Sequence, residues 1–177
     1  MPEELYNEQA YSKNVLELIR VVVEYCLFME KNEGPREEML IFFQRIGPLL
    51  YLKGALLPNV EVENPEANER FVTQEEYENI FNRTRSKLLP YDEFIYIDYE
   101  IGDSGEPVKA SLAEYFSDIY QDLKDFVLLY QKNSRAAKQN AVKECKSLFE
   151  TNWGPKILFT LNYIHFLLNK DKYDEGE

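Results

Sequence analysis

Apolar residues recur every three or four positions through most of the chain, and this spacing is what most restricts the folds open to it. Six segments carry the pattern, at about 7–31, 35–57, 73–88, 112–132, 134–151 and 154–169. Gly-Pro pairs and Ser or Thr residues separate the segments, and such residues end one helix and begin the next. We therefore predict an all-α, single-domain bundle of about six helices over residues 1–177, with a frayed acidic tail from about 170 to 177.

The first predicted helix, residues 7–31, is apolar on nearly every side. Its central polar side chains form one narrow strip of Glu17, Arg20 and Glu24. A helix of this kind is normally enclosed by other helices. We therefore expect the first helix to be buried at the centre of the bundle.

Local signals mark several helix ends. Thr73 and Glu76, and again Ser111 and Glu114, have the spacing of a capping box, in which two side chains satisfy free backbone N–H groups. Pro48 lies inside the second helical segment, where its ring should kink or split the helix.

Residues 89–110 lack a helical pattern. Residues 94–99, Phe-Ile-Tyr-Ile-Asp-Tyr, favour extended structure, but the only candidate partner strand is the short stretch 60–62. We therefore expect one long ordered loop in which a short strand could form.

The loop is rich in tyrosine, and loops between helices often hold binding residues. The candidate binding residues are Tyr91, Phe94, Tyr96, Asp98 and Tyr99. The alternative is that their rings only fix the loop to the bundle. A groove here would suit a basic or amphipathic peptide better than an anion.

Charge and cysteine content exclude several classes of partner. The net charge of −12 opposes binding to nucleic acid phosphates. The longest strongly apolar run, residues 21–29, is about half of the ~20 residues that cross a bilayer, and the first four residues lack the basic region of a signal peptide. With only Cys26 and Cys145, a disulfide scaffold is not expected. We expect a cytoplasmic protein that binds neither nucleic acid nor membrane.

A single histidine, His165, rules out most familiar catalytic and metal sites, because two-histidine zinc motifs are impossible. Phosphate-binding loops, dinucleotide fingerprints and Cys-x-x-Cys are also absent. The sequence therefore predicts neither a cofactor nor a metal. His165 lies beside the apolar stripe of its helix, which is typical of a histidine at the edge of a core.

Glu114, Asp118, Asp122 and Asp125 fall on one stripe of the fourth predicted helix. Carboxylates at this spacing can bind a divalent cation in helical bundles, but the di-iron motif needs more histidines than this chain has. The stripe lies opposite the apolar face of the helix. A solvated acidic surface is therefore the simpler interpretation.

Two stretches resemble a bacterial family of uncharacterised all-helical proteins, known only as a domain of unknown function. One is the D-I-Y-x-D-L core of the fourth helix, at Asp118 to Leu123, and the other is Trp153-Gly154 followed by His165. Asn152 stands where the family arrangement has histidine. The resemblance implies an all-helical fold over nearly the whole chain, no known activity, and a polar cluster of Asp118, Asp122, Trp153 and His165.

The function itself is not determined by these patterns. We favour a non-catalytic binding or interaction module with a protein or peptide partner. The alternative is a metal- or carboxylate-dependent hydrolase that acts on a small substrate through Asp118 and Asp122, with His165 as a further candidate.

Overall fold

Helices account for most of residues 9–99 and 104–174, the parts of the chain that a computed structural model describes. The elements in chain order are α1 (Lys13–Lys31), α2 (Arg36–Ala55), a 3₁₀ turn (Pro65–Ala67), α3 (Gln74–Leu88), β1 (Glu93–Asp98), β2 (Glu106–Ser111), α4 (Leu112–Tyr130), α5 (Arg135–Leu148), a π-helical turn (Phe149–Trp153) and α6 (Gly154–Asp174). The predicted helical bundle is confirmed. Within these ranges, no helix has both the length and the apolar character needed to cross a membrane.

The enclosed helix of the bundle is α4, and the expectation that the first helix is central is wrong. α4 packs against α1, α3, α5 and α6, and most of its residues are buried. α1 buries only one face, while Leu16, Val23 and Leu27 on its other side are exposed. α1 carries apolar residues on more sides than its two main neighbours, α2 and α4, can cover.

Long-range hydrogen bonds fix α1 against α4. The Tyr25 hydroxyl donates to the backbone oxygen of Phe116 across 2.7 Å in the core. Near the C-terminal end of α1, the Glu30 carboxylate accepts from the Tyr120 hydroxyl at 2.8 Å and from the Lys124 ammonium at 2.6 Å. These contacts satisfy polar groups that would otherwise be desolvated without a partner.

The segment expected to be one long loop, residues 89–110, contains most of two paired strands, β1 and β2, instead of one short strand. β1 pairs with β2 in antiparallel register, with Phe94 opposite Ala110 and Ile97 opposite Pro107. The stretch 60–62, the expected partner, is not a strand. The sequence of β2, Glu-Pro-Val-Lys-Ala-Ser, has few strong strand formers, so its pairing depends on the neighbouring strand and on packing. Part of the expected loop, residues 100–103, lies outside the described residues.

The start of α4 is capped by Asp92, just before β1. Asp92 Oδ1 accepts from the backbone N–H of Ala113 at 2.8 Å, and Oδ2 accepts from the Ser111 hydroxyl at 2.7 Å. The backbone oxygen of Asp92 accepts from the N–H of Leu112. Ser111 also accepts from the N–H of Glu114, so the Ser111 side of the predicted capping box forms. The box at Thr73 and Glu76 is complete.

The remaining helices differ from prediction mainly in their ends. α2 contains Pro48 without splitting, and Pro48 lies on its exposed side, where water can bond the carbonyl that loses its partner. α6 continues to Asp174, beyond the predicted end at residue 169. Gly54 of α2 touches the ring of Trp153 so closely that a Cβ would lie 2.4 Å from it. This glycine lets α2 and the π-helical turn approach each other.

Replacing Asp92 by alanine should lower the free energy of unfolding by about 2–3 kcal/mol, because a buried N–H and a hydroxyl lose their acceptor. Chemical denaturation of the two proteins measures the difference. Glu93→Ala is the matched control, since its carboxylate is exposed and pairs only with Lys109; we expect less than about 0.5 kcal/mol there. Equal losses for both variants would contradict the capping role.

Candidate functional site

The acidic stripe of α4 is largely sequestered from solvent, so the interpretation of a solvated acidic face is wrong for three of its four members. Asp125 Oδ1 accepts from the backbone N–H groups of Phe71 and Val72 at 2.8 and 2.9 Å. Asp118 and Asp122 bind other segments, and only Glu114 is exposed. The stripe therefore holds surrounding segments against the central helix.

Asp118 connects α4 to both α3 and α6. Its Oδ1 accepts from the Tyr77 hydroxyl at 2.6 Å, and its Oδ2 accepts from the Lys156 ammonium at 2.5 Å. Lys156 lies 5.2 Å from the centre of the Tyr115 ring, close enough for a cation–π contact. Both oxygens of Asp118 therefore already have partners.

Asp122 is 8% exposed and accepts from the Asn152 amide at 2.6 Å through Oδ2. Burial raises the pKa of its carboxyl to about 6, and the hydrogen bond from Asn152 offsets that shift only in part. At neutral pH the fold therefore carries a largely desolvated carboxylate next to the start of α6.

The two other members of the predicted polar cluster lie elsewhere. The indole N–H of Trp153 donates to the backbone oxygen of Cys145 at 3.0 Å, and the ring is completely buried. His165 is exposed, three helical turns further along α6. The structure brings Asp118 and Asp122 together with Asn152 and Lys156, and the predicted set of four does not form one site.

Metal binding and carboxylate catalysis gain no support from this arrangement. Among residues 9–99 and 104–174, no three His, Cys, Asp or Glu side chains are grouped so that they could hold a metal ion. The cation nearest Asp118 is already paired with it, and the amide of Asn152 occupies one oxygen of Asp122. A reacting group would have to displace these partners.

The tyrosine-rich strand packs on α6 through alternate residues. The Phe94 ring stacks on Tyr163 with centroids 5.2 Å apart, and the Tyr96 ring stacks on Phe159 at 3.8 Å. The hydroxyl groups of Tyr96 and Tyr115 are 2.7 Å apart and share a hydrogen bond. The rings therefore do fix this segment to the bundle, as one of the two interpretations predicted.

The other face of β1 is open to solvent. Ile95 is 69% exposed and Tyr99 78% exposed, with Ile97 between them. Tyr91 lies outside this surface, and its ring makes cation–π contacts with the guanidinium of Arg36 and the ammonium of Lys170. Of the predicted binding residues, Phe94 and Tyr96 therefore pack on the bundle, Tyr99 is exposed, and Tyr91 lies apart from them.

Two clefts follow β1 along α6 and meet at Phe159; together we call them the hairpin–α6 groove. The first has a volume of about 260 Å³ and is lined by Tyr96, Ile97, Asp98, Tyr99, Tyr115, Thr151, Asn152, Pro155, Lys156 and Phe159. The second, of about 400 Å³, is lined by Phe94, Ile95, Phe159, Asn162, Tyr163, His165, Phe166 and Tyr173. The groove thus includes four of the predicted loop residues, and the amide of Asn152 links it to Asp122.

Sequence reasoning missed the α6 side of the groove. Phe159, Tyr163 and Phe166 are spaced by four and three residues, which places them on one helical face. That second aromatic stripe, beside the expected core stripe of the same helix, was the available signal. Lys156 carried no such signal, because its role depends on Asp118 across the bundle.

The fold and the groove define the class of this protein: in the described residues it is a helical bundle with one β-hairpin and an aromatic groove. The chain belongs to a family described as a domain of unknown function (DUF5063), which matches residues 9–170. It is similar to protein BF1032 from Bacteroides fragilis, a structural genomics target with a crystal structure: 32% identity, a TM-score of 0.79, and coverage of 90% of this chain and 94% of that one. No curated protein matches the chain.

Asp122→Asn should make stability less dependent on pH. The folded chain keeps a proton on Asp122 up to about pH 6, whereas the unfolded chain releases it near 3.8, so ionisation destabilises the native protein as pH rises between these values. Relative to the variant, the native chain should lose about 1–3 kcal/mol of unfolding free energy between about pH 4 and about pH 8.

Urea denaturation at several pH values measures this difference, and the other carboxyl groups cancel in the comparison. Glu114→Gln is the control on the same helical stripe, because Glu114 is exposed. A constant difference between native chain and Asp122→Asn across the pH range would contradict the prediction.

Proposed function

We propose that this chain is a cytoplasmic peptide-binding protein whose ligand is an extended segment with alternating apolar and basic side chains, held in the hairpin–α6 groove. The observation that carries the proposal is an aromatic groove beside the edge of β1 that no second strand of the described chain pairs with. Two buried free thiols, Cys26 and Cys145, are compatible with a reducing compartment.

The position of the groove supports strand addition. In the described residues the sheet has two strands, so β1 has one paired and one unpaired side. Both clefts are lined by β1 residues and, within the described chain, by none from β2, which indicates that they follow the unpaired side. An extended peptide can add to such an edge through main-chain hydrogen bonds.

The lining favours an apolar and cationic ligand. Ile95, Ile97 and Tyr99 present apolar surface at the strand, and aromatic rings of α6 also line the clefts. Among the described residues that line the first cleft, the one cation is Lys156, and Asp118 neutralises it. A chain with a net charge of −12 attracts a basic segment more readily than an acidic one.

The size of the groove matches a short segment. Residues 94–99 span six positions, which corresponds to about 20 Å of extended chain. A peptide of about six residues would cover this length, and its alternate side chains would enter the two clefts on either side of Phe159.

The test is a selection from a random peptide library displayed on phage, run in parallel on the native chain and on the double variant Ile97→Lys with Tyr99→Ala. Both side chains are exposed, so the variant should keep its fold. We expect enriched sequences with alternating apolar and Arg or Lys residues on the native chain only. Identical enrichment on both proteins, or none on either, would overturn the proposal.

An enriched sequence, synthesised with a fluorescent label, then gives affinities by anisotropy. We expect Tyr99→Ala to weaken binding by about fivefold to tenfold, the effect of removing one aromatic contact. Tyr11→Ala is the matched control, since Tyr11 is also an exposed tyrosine but lies outside the groove. Replacing Arg and Lys in the peptide by Glu should weaken binding by at least about tenfold.

A further inference from the structure

The outer surface of α1 and α2 is apolar, and no other part of residues 9–99 and 104–174 covers it, although neither helix belongs to the proposed peptide site. Leu16, Val23 and Leu27 are exposed on α1, and Ile41, Leu49 and Leu52 are exposed on α2. We call this surface the α1–α2 face. Leu52 alone leaves 53% of its surface in solvent. Clustering of large apolar side chains on two adjacent helices is typical of an interaction site.

The spacing of these residues is that of a helix–helix seam. On α1 the exposed stripe is Leu16, Arg20, Val23 and Leu27, with steps of four, three and four residues. On α2, Ile41, Arg45, Pro48 and Leu52 repeat the same steps. Positions spaced in this way form the contact line of packed helices, because they stay on one side of the helix.

The groove between the two stripes can accept side chains from a partner. It has a volume of about 350 Å³ and lies between Val21 of α1 and Phe42 of α2, with Ile46 at its base. Arg20 and Glu24 line it from α1, and Arg45 lines it from α2. Side chains of a facing helix could therefore pack between α1 and α2.

Arg20 and Glu24, two of the three charged residues that line this groove, are complementary to each other. Arg20 and Glu24 are exposed neighbours one helical turn apart, and in the part of the chain that the structure describes neither forms an ion pair. A two-fold axis that passes between these two side chains places α1 antiparallel to α1 of a second copy. Arg20 of each copy then lies beside Glu24 of the other copy. The same axis sets Leu16 near Leu27 of the second copy.

We propose that two copies of this chain form a symmetric dimer through the α1–α2 face. The helices are 19 and 20 residues long, so at about 1.5 Å per residue and about 10 Å between axes the face covers roughly 600 Å² in projection. This approaches the ~800 Å² of surface per partner in stable interfaces. A second copy fits the face because one surface supplies both the apolar stripes and both halves of the charge pair.

Sedimentation velocity of the full chain over micromolar to sub-millimolar concentrations tests the proposal. We expect a monomer–dimer equilibrium, with Val23→Glu weakening dimerisation by at least about tenfold because it places an acid in the apolar stripe. A native chain that stays monomeric throughout would overturn the proposal, including the case in which the face serves a different protein.

A charge exchange tests the two-fold arrangement itself. Arg20→Glu should weaken the dimer about tenfold, since the acidic side chains then face one another, and adding Glu24→Arg should restore the affinity to within about threefold. The exchange keeps the net charge of α1, and both side chains are exposed, so the stability of the monomer should change little. A double variant no better than Arg20→Glu alone would overturn the arrangement.

Two control variants separate this face from other surfaces. Ile95→Glu places the same charge on an exposed apolar side chain of the hairpin, and Lys143→Glu reverses a charge on the basic helix α5. Both should leave the dimer affinity unchanged. Loss of the dimer in Lys143→Glu with none in Val23→Glu would assign the interface to α5 and would overturn the proposal.

Discussion

Enclosure of α4 is the constraint on which the rest of the structure depends. A helix covered on several sides takes the carboxylates on those sides out of water, and a buried carboxylate without partners is too costly to retain. The structure resolves this conflict with hydrogen-bond donors from three surrounding segments. Asp118, Asp122 and Asp125 thereby fix the position of α3, of the start of α6 and of the chain that leads into α3.

The enclosure of α4 also sets the position of the hairpin–α6 groove. Asp92 caps the start of α4 and is joined directly to β1, so the end of one element sets the position of the other. From there, alternation along the strand directs Phe94 and Tyr96 onto α6. The opposite alternation leaves Ile95 and Ile97 in solvent. Packing residues and exposed apolar residues therefore occupy the two faces of one strand.

Asp122 illustrates how a structural role shapes the chemistry of a site. Its pKa of about 6 results from burial against the bundle. A raised pKa of this kind also occurs in catalytic acids, yet the neighbouring groups here are an amide and a cation that is already paired. The geometry around Asp122 favours a fixed polar contact beside the hairpin–α6 groove over a role as a reacting carboxyl.

The sequence by itself determined the helical fold and most helix starts, because helical periodicity and capping are local properties of the chain. It also identified Asp118, Asp122 and the tyrosine-rich strand as the notable residues. Only the tertiary structure decided which helix is enclosed, since the apolar residues of α1 look the same whether they meet another helix or solvent. It also decided that Glu106–Ser111 pairs with β1 and that Lys156, not His165, meets the acidic stripe. These contacts join residues far apart in the chain, and their energy depends on the packing of the whole bundle.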